Sequence, residues 1–203
     1  MKIIYFHGFA SSGATGTAQL LRQMLPEHEI LAPDIPMDPA LALPFLKDYV
    51  AGQKPDLIIG TSMGGMYAQQ MRGWRKICVN PAFNMSRLSK VLKPGTFRYL
   101  NGRRDNAVEF RITKETIQHY FTMERSQFDG IDSWERENTW GLFGIRDEHP
   151  SCYDLFKKHY PNAVRYDGGH QLNEKALKTA VLPLVREIAG SVSCRQSENS
   201  ILL

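Results

Sequence analysis

The stretch Leu57-Ile58-Ile59-Gly60-Thr61-Ser62-Met63-Gly64-Gly65 decides the reading of this chain. Its apolar start reads as a strand buried on both faces. Residues 63 to 72 then read as a helix. Gly60 and Gly64 stand two residues before and two after Ser62, a G-x-S-x-G pattern between strand and helix. A serine on so sharp a turn is strained, and flanking side chains would collide; glycine removes the collisions. The turn also exposes the hydroxyl at a helix N-terminus, which favours negative charge. Ser62 is therefore read as a nucleophile, the alternative being a tight turn with Ser62 as a helix cap.

Outward from this turn the chain alternates strands and helices. Ile3 to Phe6, Glu29 to Ala32, Leu57 to Ile59 and Ile77 to Val79 are expected strands. Residues 16 to 25 and 39 to 51 are expected helices, with a break or kink at Pro44. The rhythm lapses over residues 83 to 137, where the clearest helical face is Ile117, Tyr120 and Phe121. It resumes with a strand over Trp140 to Ile145, a helix over Ser151 to Tyr160 and a strand over Ala163 to Tyr166. A closing helix over Glu174 to Ala189 should bend at Pro183 and stop at Gly190. This predicts a three-layer α/β/α sandwich with a mostly parallel sheet. Residues 1 to 190 form its one domain, 83 to 137 a cap insertion and 191 to 203 a tail that is loose by composition.

A serine hydroxyl needs a base. Of six histidines, His170 follows two glycines just after the last strand, at the sheet edge where ligands gather. His149 is the main competitor, and His7 more plausibly braces its own loop. The acid belongs between serine and histidine in chain order. Asp147 follows a clear strand; Asp105 and Glu148 are the alternatives. Backbone N–H groups of Met63 and Phe9 would hold an oxyanion. Phe121 and Trp134 are candidate pocket residues within the insertion.

The 203 residues are 42% hydrophobic and 23% charged, ordinary for a globular chain, and no stretch is long and apolar enough for a membrane helix. Three scattered cysteines make neither a disulfide framework nor a zinc spacing, which suggests reduced thiols in a cytoplasmic protein. No spacing suggests a metal, and no cofactor is expected. The net charge is +4, and eight basic residues against three acidic ones fall within 84 to 115. This is either a solvated face or an entrance that attracts anions. It lacks the interleaved aromatics of a nucleic-acid platform, so neither nucleic acid nor membrane is an expected partner. The oligomeric state is not legible.

With Tyr5-Phe6-His7-Gly8-Phe9-Ala10-Ser11-Ser12, Gly60 to Gly65, Val79-Asn80-Pro81-Ala82, Arg146-Asp147-Glu148 and Gly168-Gly169-His170, the sequence resembles the α/β-hydrolase superfamily. Within it the chain looks like the small YqiA/YcfP-type (UPF0227-like) serine esterases. Residues 83 to 137 depart from that pattern. The resemblance implies a Ser62–Asp147–His170 triad, hydrolysis of small-molecule acyl esters or thioesters, and no metal or organic cofactor. The alternatives are an acyltransferase on the same residues and a non-catalytic binding protein that kept the fold.

Overall fold

The structure is a computed structural model that describes residues 1–87 and 92–201, the last ten of these as backbone only. Its centre is a six-stranded, all-parallel sheet of β1 (Lys2–Phe6), β2 (Glu29–Leu31), β3 (Leu57–Thr61), β4 (Lys76–Val79), β7 (Thr139–Gly144) and β8 (Ala163–Tyr166), in the order β2-β1-β3-β4-β7-β8. The apolar run of β1 serves two cores, because side chains alternate across a strand. Ile4 and Phe6 face one core, with α2 (Pro39–Gln53), α3 (Met63–Gln69), α4 (Lys114–Ser126) and α6 (Tyr153–His159). Ile3 and Tyr5 face the other, with α1 (Gly16–Met24) and the closing helical segment.

Residues 80–138 leave β4 and return as its sheet neighbour β7. They hold a separate antiparallel hairpin, β5 (Gly95–Arg98) with β6 (Glu109–Ile112), then α4 and α5 (Ser133–Glu137). Lys90, part of the basic stretch, lies outside the described residues. Where α5 meets the sheet, Lys76 and Glu135 form a buried ion pair, and the Lys76 ammonium also donates to the Met71 carbonyl at 2.6 Å. Burial pulls the Lys76 pKa down and the Glu135 carboxylate opposes it.

Four local expectations need correction. α2 runs through Pro44 without interruption. α3 stops at Gln69, short of Arg72, before a turn in which Gly73 is left-handed with φ +80°. The irregularity at Pro183 is a π turn, Leu177–Val181, between α7 (Glu174–Ala176) and α8 (Leu182–Ile201). Proline has no N–H and its ring crowds the carbonyl four residues back, which a widened turn relieves. α8 also passes Gly190 and carries the tail to Ile201. A mid-helix glycine costs only about 1 kcal/mol, and no proline follows to force a stop. Leu202 and Leu203 lie outside the described residues, as does the Cys194 side chain.

Candidate active site

Ser62 sits between β3 and α3 with φ +54° and ψ −119°. A non-glycine residue held there stores on the order of 1–3 kcal/mol. The surroundings enforce it. A Cβ on Gly60 would lie 2.2 Å from the Gly64 carbonyl oxygen, and one on Gly64 would lie 2.1 Å from that of Phe6. The Ser62 N–H donates to the Val79 carbonyl at 2.9 Å, and the Ser62 carbonyl accepts from Ala82 and Met66 at 3.1 Å each. The turn is thus fixed to β4 as well as to its own helix.

His170 lies on the loop after β8 and Asp147 on the loop after β7. His170 Nε2 is 3.0 Å from Ser62 Oγ, and His170 Nδ1 is 2.8 Å from Asp147 Oδ2. A carboxylate only accepts, so Nδ1 carries the proton and Nε2 offers its lone pair to the serine hydroxyl. The other carboxylate oxygen, Asp147 Oδ1, accepts from the His149 N–H at 2.9 Å and lies 3.2 Å from His149 Nδ1. The His149 ring packs on His170 with centroids 4.1 Å apart.

Asn80, given no role of its own in the sequence beyond its place in Val79-Asn80-Pro81-Ala82, joins these loops. Its Oδ1 accepts from the Gly144 N–H at 2.8 Å. Its Nδ2 donates to the carbonyls of Gly169 and His170 at 3.0 and 3.2 Å and lies 3.2 Å from the Tyr166 hydroxyl. Asn80 takes φ +44°, a region asparagine tolerates better than most residues. Asp105 stands apart from this group. It is exposed on the hairpin loop, and its hydrogen bonds to Arg103 hold its carboxyl below the usual range.

The loop after β1 faces Ser62. A Cβ on Gly8 would lie 3.7 Å from Ser62 Cβ, and Phe9 lines the same cavity. Met63, the first residue of α3, directly follows the serine. His7 is fully buried beneath this loop. Its Nε2 accepts from the Ile35 N–H at 2.9 Å, so its Nδ1 donates to the Gly8 carbonyl at 2.8 Å. Burial pushes its pKa down to about 4. The hairpin tip fastens on the next residues. The Leu100 N–H donates to the Ala10 carbonyl at 2.7 Å, the Ser11 hydroxyl to Asn101 Oδ1 at 2.8 Å, and the Ser12 hydroxyl to the Gly102 carbonyl at 2.7 Å. Phe9 meets Phe110 of β6 edge-on at 5.5 Å.

A cavity of about 670 Å³ opens beside Ser62, His170 and Asp147. Leu20, Phe143 and Leu172 give it apolar wall, and Met85, Leu100 and Asn101 of the insertion close one side. Phe121 and Trp134 do not line it. Tyr120 and Met123 take the inward face of α4, leaving Phe121 largely exposed. Trp134 sits on α5, where its carbonyl binds Asn138. Cys152 does reach the cavity, but burial raises its pKa, so it stays a thiol rather than a thiolate nucleophile.

The model of the uncharacterised protein family UPF0227 matches residues 2–94. Among solved structures, Est1E from Butyrivibrio proteoclasticus superposes with a TM-score of 0.68 at 15% identity, over 93% of this chain and 88% of its own. A chain described under LipS and LipT, two metagenome-derived lipolytic enzymes, gives 0.62 at 14% identity over 92% and 93%. The esterase domain of a Rhodothermus marinus protein gives 0.59 at 17% identity over 96% and 86%. Together with the parallel six-stranded sheet and its flanking helices, these likenesses show that the chain has the α/β-hydrolase fold, with an N-terminal half similar to UPF0227.

Proposed function

We propose that the chain is a serine hydrolase that cleaves small carboxylic esters or thioesters through an acyl-enzyme. The observation that carries this reading is the continuous contact Ser62–His170–Asp147, at 3.0 and 2.8 Å, on the wall of a ligand-sized cavity. Ser62 Oγ attacks the acyl carbon as its proton passes to His170 Nε2. Asp147 keeps Nδ1 protonated and stabilises the imidazolium. The carbonyl oxygen, now negative, takes hydrogen bonds from the Met63 and Phe9 N–H groups. His170 returns the proton to the departing alcohol or thiol, and water repeats the cycle on the acyl-enzyme.

The lipolytic and esterase descriptions of two structural neighbours support the ester class. In this reading residues 83 to 137 act as a cap on a single domain of residues 1 to 190, and the hairpin tip shapes the acyl or leaving-group side of the pocket. Buried, unpaired Cys78 and Cys152 fit a cytoplasmic setting. The test is labelling by a fluorophosphonate probe, followed by turnover across p-nitrophenyl esters and acyl-CoA thioesters of graded length. Labelling of wild type that is lost in Ser62→Ala supports the reading. Equal labelling of both proteins, or turnover unaffected by that substitution, overturns it.

A further inference from the structure

The fold brings three metal-ligating side chains to one point that sequence spacing did not reveal. Asp147, His149 and His170 each offer a ligand atom, and these atoms lie within 4.8 Å of one another. We propose that these three residues bind a zinc-like divalent cation and that its binding shuts the site off reversibly.

The chemistry of the donor set points to this class of ion. Two imidazoles and a carboxylate suit zinc and its borderline neighbours better than magnesium or calcium, which prefer all-oxygen sites. Zn–N bonds of about 2.1 Å at tetrahedral angles place ligand atoms about 3.4 Å apart. Two of the separations here are already shorter, 2.8 Å from His170 Nδ1 to Asp147 Oδ2 and 3.2 Å from His149 Nδ1 to Asp147 Oδ1. The two rings lie 4.1 Å apart, tilted by 40°. The His149 side chain is exposed enough to rotate toward the other two ligands. The cavity leaves room for water as a fourth ligand, and the Glu148 carboxylate stands 4.0 Å from His149 Nδ1 as another donor.

Inhibition follows whichever His170 nitrogen is used. Coordination through Nε2 occupies the lone pair that faces Ser62. Coordination through Nδ1 moves the ring proton to Nε2, so that nitrogen can no longer accept from the serine. No net proton is released in the second case; one tautomer replaces the other. The cation is then an inhibitor rather than a cofactor, and a chelator should restore activity instead of abolishing it.

The inhibitory half of this proposal rests on the hydrolase reading, whereas the binding half does not. Zinc sulfate is therefore titrated by calorimetry into both wild type and Ser62→Ala, whose substitution removes no ligand. Saturable one-site binding to both, weakened at least about tenfold by His149→Phe and by Asp147→Asn, supports the site. Zinc inhibition of turnover that EDTA relieves, measured for wild type and His149→Phe against each protein's own zinc-free rate, supports the consequence, and a wild-type rate unchanged at zinc concentrations that saturate binding overturns it. Absence of saturable binding, or equal affinity in wild type and both variants, overturns the proposal. Cobalt(II) added to unsubstituted protein gives a readout that needs no variant to fold. Intense four-coordinate visible bands support the site, and the weak spectrum of a six-coordinate ion overturns it.

Discussion

The Asn80 side chain lies between the ends of two strands, with Oδ1 2.8 Å from the Gly144 N–H and Nδ2 3.0 Å from the Gly169 carbonyl oxygen. One amide therefore sets the distance between the loop bearing Asp147 and the loop bearing His170. Asn80→Ala removes the acceptor of the Gly144 N–H, leaves the Gly169 carbonyl only the Tyr166 hydroxyl, and is expected to cost on the order of 1–3 kcal/mol of stability. Displacing His170 by a fraction of an ångström is expected to lower kcat by up to about 10²-fold. Asn80→Asp keeps the acceptor for Gly144 but turns a carboxylate toward two carbonyls, so it should be worse than alanine. Urea unfolding and steady-state kinetics measure both, and an Asp variant as active as wild type would contradict the arrangement.

Ser62 is held at φ +54° in a turn that glycine would occupy without strain. Ser62→Gly is expected to abolish turnover and yet raise thermal stability. A net gain of about 1 kcal/mol corresponds to about 2–4 °C in Tm for a chain of this size. Ser62→Ala should abolish turnover without that gain, because alanine keeps the Cβ. Scanning calorimetry on the two variants separates the outcomes.

Asp147 touches His170, whereas Asp105 touches Arg103 on an exposed loop. Asp147→Asn is expected to lower kcat on the order of 10⁴-fold, the size of the corresponding change in serine proteases. Asp105→Asn should leave kcat close to wild type. Circular dichroism checks that both variants fold. Reversal of the two effects would mean that the contacts around His170 rearrange in solution.

His7 supplies a pH dependence of stability with a defined sign. Its folded pKa of about 4 lies below the ordinary histidine value of about 6.5, because burial disfavours the cation. Between those values the unfolded chain binds more protons than the folded one, so stability falls as the pH drops through that window. The limiting slope is about 1.4 kcal/mol per pH unit, or about 3 kcal/mol over the whole span. His7→Gln should be less stable at pH 7, since it loses the Ile35 contact, and should lose less on acidification. Parallel curves of urea midpoint against pH for the two proteins would remove His7 as the source.

The buried Lys76–Glu135 pair ties α5 to the sheet. Glu135→Leu strands a buried ammonium and is expected to cost about 3–5 kcal/mol. Adding Lys76→Met should recover much of that loss, because the uncompensated charge is gone. Differential scanning fluorimetry of the single and double variants reads this directly.

The sequence made the sheet legible because parallel strands buried on both faces read as unbroken apolar runs, as Ile3 to Phe6 and Leu57 to Ile59 do. Ser62 and Asp147 stood out because each follows such a run, and His170 because two glycines precede it just after β8, whose Val164 and Arg165 are exposed. The hairpin β5–β6 did not, since its strands are short and largely exposed and carry Arg98, Glu109 and Arg111. The α4 face was found but its phase was not. Tyr120 and Phe121 are neighbours about 100° apart on a helix, so the core takes one of them. Asn80 acquires meaning only from contacts between loops distant in sequence, and so does the packing of His149, two residues from Asp147, on the His170 ring.

The hairpin tip holds the Phe9 loop through bonds at Ala10, Ser11 and Ser12, while Ser62, Asp147 and His170 follow the ends of sheet strands. The insertion between Asn80 and Asn138 thus has two parts: α4 and α5 stay rooted in the core through Tyr120, Met123 and the Lys76–Glu135 pair, while the hairpin tip reaches the cavity wall. Variation or grafting confined to the hairpin tip could redraw that wall and leave the core contacts in place. Any replacement must still present three partners to the β1 loop. A transplanted insertion that lacks them should bind new acyl groups and turn them over poorly, because Phe9 would have lost its anchor.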